Sequence, residues 1–103
     1  MLNKRHDPRA PLIADAEVTE VATGTRLSAR TSDLGRTGCY IDTLNPTAEG
    51  TKVRVSLTHL GEQLELPATV VYVSPRLGMG VRFDDNLTPA QLAVLDRWLA
   101  GAQ

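Results

Sequence analysis

Two short stretches hold residue types suited to recognition chemistry. The first is Arg5-His6-Asp7-Pro8-Arg9. The planar guanidinium fork donates two parallel hydrogen bonds, which suits a phosphate or the O6/N7 edge of guanine. Two arginines four apart would share a helix face, but Pro8 disfavours the helical region for Asp7. The segment is expected to be a turn or an extended arm with both guanidiniums projecting. The second stretch is Asp33-Leu34-Gly35-Arg36-Thr37-Gly38. A carboxylate there can accept hydrogen bonds from the ring N–H and amino group of a guanine, and the glycines permit close approach of backbone to ligand. Other chemistry is scarce. His6 and His59 stand in no metal-ligand spacing. Cys39, the single cysteine, forms no disulfide framework within the chain and reads as a small buried hydrophobe. There is no Walker A loop, and Gly78-Met79-Gly80-Val81-Arg82-Phe83 fails the dinucleotide fingerprint at its last position. With no recognisable catalytic group, an enzyme is not expected, and neither is a cofactor or a metal.

The chain that must position these residues has 103 of them, one domain's worth. A hydrophobic share of 42% with 22% charged suits a globular protein rather than a disordered one. Eleven Lys and Arg against 12 Asp and Glu leave a net charge of −1, so the chain as a whole is not built for DNA or RNA. The charge is nevertheless segregated. Lys4, Arg5 and Arg9 outweigh Asp7 in residues 1–11, and Arg26, Arg30 and Arg36 outweigh Asp33 in residues 23–40. Between them Asp15, Glu17 and Glu20 are unopposed. The two basic segments either meet in one positive site or remain ordinary solvated charge. No apolar run approaches the ~18 residues of a membrane span. The first residues lack the apolar core of a secretory signal, so a cytoplasmic location is expected.

Residues 1–11 read as an arm punctuated by Pro8 and Pro11. From residue 12 the apolar period is two, as in half-buried strands. Leu12, Ala14, Ala16 and Val18 share one face; Leu27, Ala29 and Thr31 come next, after a turn at residues 22–25. Cys39-Tyr40-Ile41 is a short strand, and Val53, Val55 and Leu57 another. Leu64, Leu66, Ala68, Val70 and Tyr72 form the longest alternating run, in which Pro67 suggests an edge or a bulge. Met79, Val81 and Phe83 complete a sixth strand. The period then changes. Thr88-Pro89-Ala90-Gln91 is a capping-box pattern with proline at the first helical position. Leu92, Leu95 and Leu99, with Trp98 beside them, recur at helical spacing. Six short strands followed by one helix suggest an antiparallel barrel or sandwich. The helix buries its leucines most simply across an open barrel end, and closure removes exposed strand edges.

In this order the pieces resemble the PilZ domain family, which carries an R-x-x-x-R motif on an N-terminal arm and a [D/N]-x-S-x-x-G motif on its barrel. Arg5 and Arg9 match the first. Asp33, Gly35 and Gly38 match the second, with Gly35 in place of the serine. Gly38 to Ile41 and Gly78 to Phe83 resemble the family's strand ends. The resemblance spans about residues 4–100. It implies a six-stranded antiparallel β-barrel capped by one α-helix, with residues 1–11 as the ligand-binding arm and 12–103 as the barrel with its helix. It implies a bacterial second-messenger receptor that binds cyclic di-GMP, often as a stacked dimer, and signals to a downstream protein. Arg5 and Arg9 would contact phosphates and guanines, Asp33 a guanine, and Gly38 would shape the turn. Lys4 and Arg36 are secondary candidates. The serine lost at Gly35 removes one hydrogen-bond partner, about 0.5–1.5 kcal/mol. Some family members do not bind the nucleotide, so a protein-interaction module is the alternative.

Overall fold

The computed structural model describes residues 9–102. The elements are β1 (Ala10–Pro11), β2 (Asp15–Glu20), β3 (Arg26–Leu34), β4 (Gly38–Asp42), β5 (Lys52–His59), β6 (Glu62–Ser74), β7 (Gly78–Phe83) and α1 (Pro89–Gly101). Neighbours run β3-β2-β5-β6-β7-β4, and β4 pairs back onto β3, so six antiparallel strands close a barrel. The two-residue β1 is additional to the expected six. It pairs with the end of β3, Ala10 opposite Leu34 and Pro11 opposite Asp33, where β2 has already left.

The strand expected from residue 12 is thus one line of chain, β1 and β2, interrupted at residues 12–14. Buried Thr31 bridges the interruption. Its hydroxyl donates to the Leu12 carbonyl (2.6 Å) and accepts from the Ala14 N–H (2.9 Å), satisfying backbone groups that the ladder leaves unpaired. The interior is aliphatic, as an alternating pattern with few aromatics requires. Val18, Leu34, Ile41, Val55, Leu57, Leu66, Val70, Met79 and Val81 are at most 1% exposed.

Helix α1 starts where the capping box predicts. Thr88 accepts from the Gln91 N–H, and the Gln91 side chain accepts from the Thr88 N–H. Leu95 and Trp98 are buried in the same cluster as the barrel residues, while Leu92 and Leu99 are half-buried. Polar contacts hold the helix to β6: Gln91 donates to the Glu65 carbonyl, and Arg97 and the Trp98 indole both donate to Glu62. The Arg97 donor first, then that of Trp98, holds the Glu62 carboxyl below the usual carboxylate range. His59 meets the Trp98 ring edge-on at 5.3 Å.

Two departures from strict alternation shape the outer wall. In β3 the register shifts between Thr31 and Asp33, and in β6 between Val70 and Tyr72. Each bulge inserts one unpaired residue, Ser32 or Val71, and reverses the parity of the residues beyond it. Tyr72 therefore does not continue the inward run of Leu64 to Val70; it is 48% exposed on the outside. The β6 bulge is at Val71 rather than at Pro67. Pro67 stands where the β6–β7 ladder has ended after Phe83, with the Asp84 N–H donating to its carbonyl, so its missing N–H leaves no rung unmade.

Candidate functional site

Asp33 is the centre of the polar cluster. The bulge at Ser32 turns its side chain to the half-exposed outer side of β3, opposite Tyr40 of β4. Its Oδ1 accepts from Arg9 Nη1 at 2.8 Å and from the Tyr40 N–H at 3.0 Å. One carboxylate oxygen thus ties the arm to the barrel and holds β4 at Tyr40. Arg9 and Asp33 keep 26% and 36% of their side-chain surface, so the pair is reachable from solvent. The Arg9 Nε is buried without a hydrogen-bond partner among the described residues. Lys4 and Arg5 lie outside the described residues.

The turn after β3 is tight: the Gly35 N–H donates to the Gly38 carbonyl at 2.8 Å. Gly35 is buried and does not belong to the positive-φ glycines, which are Gly24, Gly50 and Gly61. Its φ imposes no requirement for glycine. Gly38 is different. A Cβ there would lie 2.3 Å from the Val81 carbonyl oxygen, so glycine is needed for β7 to approach. Arg36 turns towards the helix, its Nε 2.8 Å from Asp96 Oδ1. The hydrogen bond from Arg36 and the charge of Asp96 raise the arginine's pKa further. Cys39, wholly buried beneath this cluster, has its thiol pushed up to about 12 by burial, which makes it unreactive.

Beyond Tyr40 the outer wall carries aromatics that sequence reasoning did not assign to the site. Tyr40 is opposite Gly80 of β7, and Gly80 is opposite Tyr72 of β6. Asp33, Tyr40, Gly80 and Tyr72 therefore form one row across four strands. The Tyr72 ring lies over Gly80 and the Tyr40 ring over Gly78: a Cβ on either glycine would sit under 3.0 Å from ring atoms. The ring centroids are 6.0 Å apart. Alternating glycines at 78 and 80, which leave room for the two tyrosine rings, were the legible signal. The bulge that brings Tyr72 outward was not.

The fold and site together define a small antiparallel barrel domain with a C-terminal helix and an arm tied by Arg9 to Asp33 at the end of β3. The PilZ domain family profile matches residues 3–101, and the chain belongs to that family, one of regulatory receptor domains. Solved structures agree. The PilZ domain of CeSA from a cellulose-synthesizing bacterium superposes with a TM-score of 0.72 at 25% identity, covering 91% of this chain and 96% of that one. The PilZ domain of YcgR from Escherichia coli, solved with c-di-GMP, gives 0.81 at 18% identity, covering 97% and 92%. The Bacillus subtilis inhibitor of motility (MotI/DgrA) gives 0.76 at 14%, with this chain spanning 52% of its length. No curated protein matches in sequence. Among the described residues, no helix is long and apolar enough to cross a membrane, and no cluster of His, Cys, Asp and Glu could hold a metal ion.

Proposed function

We propose that this domain is a cytoplasmic, non-enzymatic receptor for cyclic di-GMP that passes its ligand state to a protein partner. The observation that carries the reading is the Arg9–Asp33 pair. The second arginine of the R-x-x-x-R motif sits 2.8 Å from the acid of the D-x-G-x-x-G turn, although 24 residues separate them. Guanidinium forks suit phosphates and the O6/N7 edge of guanine, and a carboxylate suits its N–H edge. The remaining exposure of both side chains leaves bonding capacity for such a ligand. The structurally similar YcgR domain, solved with c-di-GMP, supports the same ligand. Arg5 joins Arg9 by the spacing of the motif; Lys4 adds positive charge. Arg36, paired with Asp96, contributes by exchanging that partner for a phosphate. Gly35 favours a second reading, a domain that has lost the nucleotide and serves only as an interaction module.

Calorimetry with cyclic di-GMP, with GTP as control, separates the two. The receptor reading expects saturable binding of cyclic di-GMP and none of GTP. The Arg5→Ala/Arg9→Ala double variant should lose that binding at little cost in melting temperature, and Arg9→Lys should bind poorly because it keeps charge but loses the fork. Heat-silent titration of the wild type, confirmed by an equilibrium dialysis that retains no ligand, overturns the reading.

A further inference from the structure

We propose that the first half of β3, Arg26 to Ala29, is an open strand edge that takes up an extended segment of a partner protein, acidic on its outer face and apolar on its inner face. The surface lies at the opposite end of β3 from Asp33, so the inference goes beyond the receptor reading and does not depend on nucleotide binding. Two observations open the edge. First, the barrel is not closed along the whole of β3. β2 pairs with β3 from Arg26 to Arg30, but β4 ends at Asp42, opposite Arg30. The chain then follows the β6–β7 turn, where the Thr43 N–H donates to the Leu77 carbonyl. The Thr31 N–H donates to the Ala14 carbonyl and the Thr25 carbonyl accepts from the Glu20 N–H, so odd-numbered residues here turn their backbone groups to β2. Those of Arg26 and Ser28 turn the other way, where no described strand pairs with them. Their N–H and C=O groups are a template for another strand. Second, the core beneath this edge is uncovered. Leu27 and Ala29 stand opposite buried Val18 and Ala16 and face inwards with them, yet both are only half-buried. Across the opening Leu44 and Leu77 are 75% and 69% exposed. The cleft is lined by Ser28, Ala29 and Arg30 on one side and by Asp42, Leu44 and Leu77 on the other.

Register and charge identify the occupant. β4 fills this line further along, with Asp42 opposite Arg30 on the outer face and buried Ile41 opposite Thr31 on the inner one. A segment that continues the line keeps the alternation, with carboxylates beside Arg26 and Arg30 and apolar side chains over Leu27 and Ala29. Arg26 pairs with Glu17 of β2 at 3.4 Å and stays 64% exposed, and Arg30 makes no ion pair among the described residues. A second copy of the edge does not fit. Two β3 edges paired antiparallel about Ser28 set Arg26 opposite Arg30 twice, and like charges directly opposite destabilise a sheet. Residues 1–8 of the same chain, with Lys4 and Arg5 against Asp7, also carry the wrong sign.

The test is NMR of the isotope-labelled full chain with two end-blocked hexapeptides, one alternating valine and aspartate, the other valine and lysine. The aspartate peptide should shift the Arg26 and Ser28 amide resonances and slow their hydrogen exchange about tenfold at saturation, and the lysine peptide should do neither. Ser28→Pro removes the outward N–H while sparing the rungs to β2, and should abolish the response at Arg26. Arg26→Glu alters no backbone group and should weaken the aspartate peptide at unchanged melting temperature. No response at Arg26 and Ser28, an equal response to both peptides, or undiminished binding by the two variants overturns the proposal. So does slow exchange of the Ser28 amide in the peptide-free monomer, since residues 1–8 would then cover the edge. Protection that grows with protein concentration alone also overturns it, because the occupant would be a second copy.

Discussion

On the inner face of β3, β4 and β7, Leu34, Cys39, Ile41, Met79 and Val81 are 0–1% exposed. On the outer face of the same strands stand Asp33, Tyr40, Gly78 and Gly80. The inner face needs only hydrophobic residues at every second position. The outer face needs a bulge to place a carboxylate, glycines to clear backbone, and an arm delivered from 24 residues away in sequence. One sheet thus carries its core on one side and, in the proposed reading, its recognition chemistry on the other. Substitutions on the two faces should therefore separate folding from binding.

The largest expected effect belongs to the inner side. Leu95, fully buried where α1 joins the core, should cost about 2–5 kcal/mol when truncated in Leu95→Ala. A chemical denaturation midpoint shifted by less than ~0.5 kcal/mol equivalent would place that helix face in solvent. Asp33 comes next because, on the outer face, it holds the Tyr40 backbone as well as Arg9. Asp33→Ala leaves the Tyr40 N–H without its acceptor, which should cost about 1–3 kcal/mol of stability as well as ligand binding. Asp33→Asn keeps an acceptor oxygen for Tyr40 and should recover most of the melting temperature. If both variants melt alike, the Asp33–Tyr40 bond is not what positions β4.

Gly35→Ser sharpens the comparison further. No positive φ demands glycine there, so serine meets no backbone strain and supplies the hydroxyl that the family motif carries. Tighter binding by about three- to tenfold, or ~0.7–1.4 kcal/mol, is expected. Unchanged affinity at unchanged stability would show that position 35 does not face the ligand. The smallest effect is expected at Arg36, whose exposed pairing with Asp96 is open to solvent and to screening by salt. Arg36→Ala should leave the denaturation midpoint in 0.5 M salt unmoved and weaken cyclic di-GMP binding only modestly. A loss as large as that of Arg9→Ala would promote Arg36 to a principal ligand contact.

Much of the inner face was legible because strand parity and helix period are local. The period-two runs from Leu12 to Phe83 and the Thr88–Gln91 cap state which residues face inward without reference to any neighbour. The two arginine and aspartate motifs were legible for a similar reason, as short spacings in a fixed order. Pairing between distant segments decided the rest. Tyr72 fits the inward pattern of β6 until the ladder with β7 inserts Val71 and reverses it. The Arg9 fork meets Asp33 because β1 pairs with β3 where β2 has left, and Arg36 turns to Asp96 because the helix packs against that barrel end. Gly38 is glycine for the sake of the Val81 carbonyl, 43 residues further along the chain. A bulge, a cross-strand glycine and an ion pair each depend on the position of a second segment. Sequence by itself determined the alternation and the motifs; closure of the barrel decided which side chains share one wall.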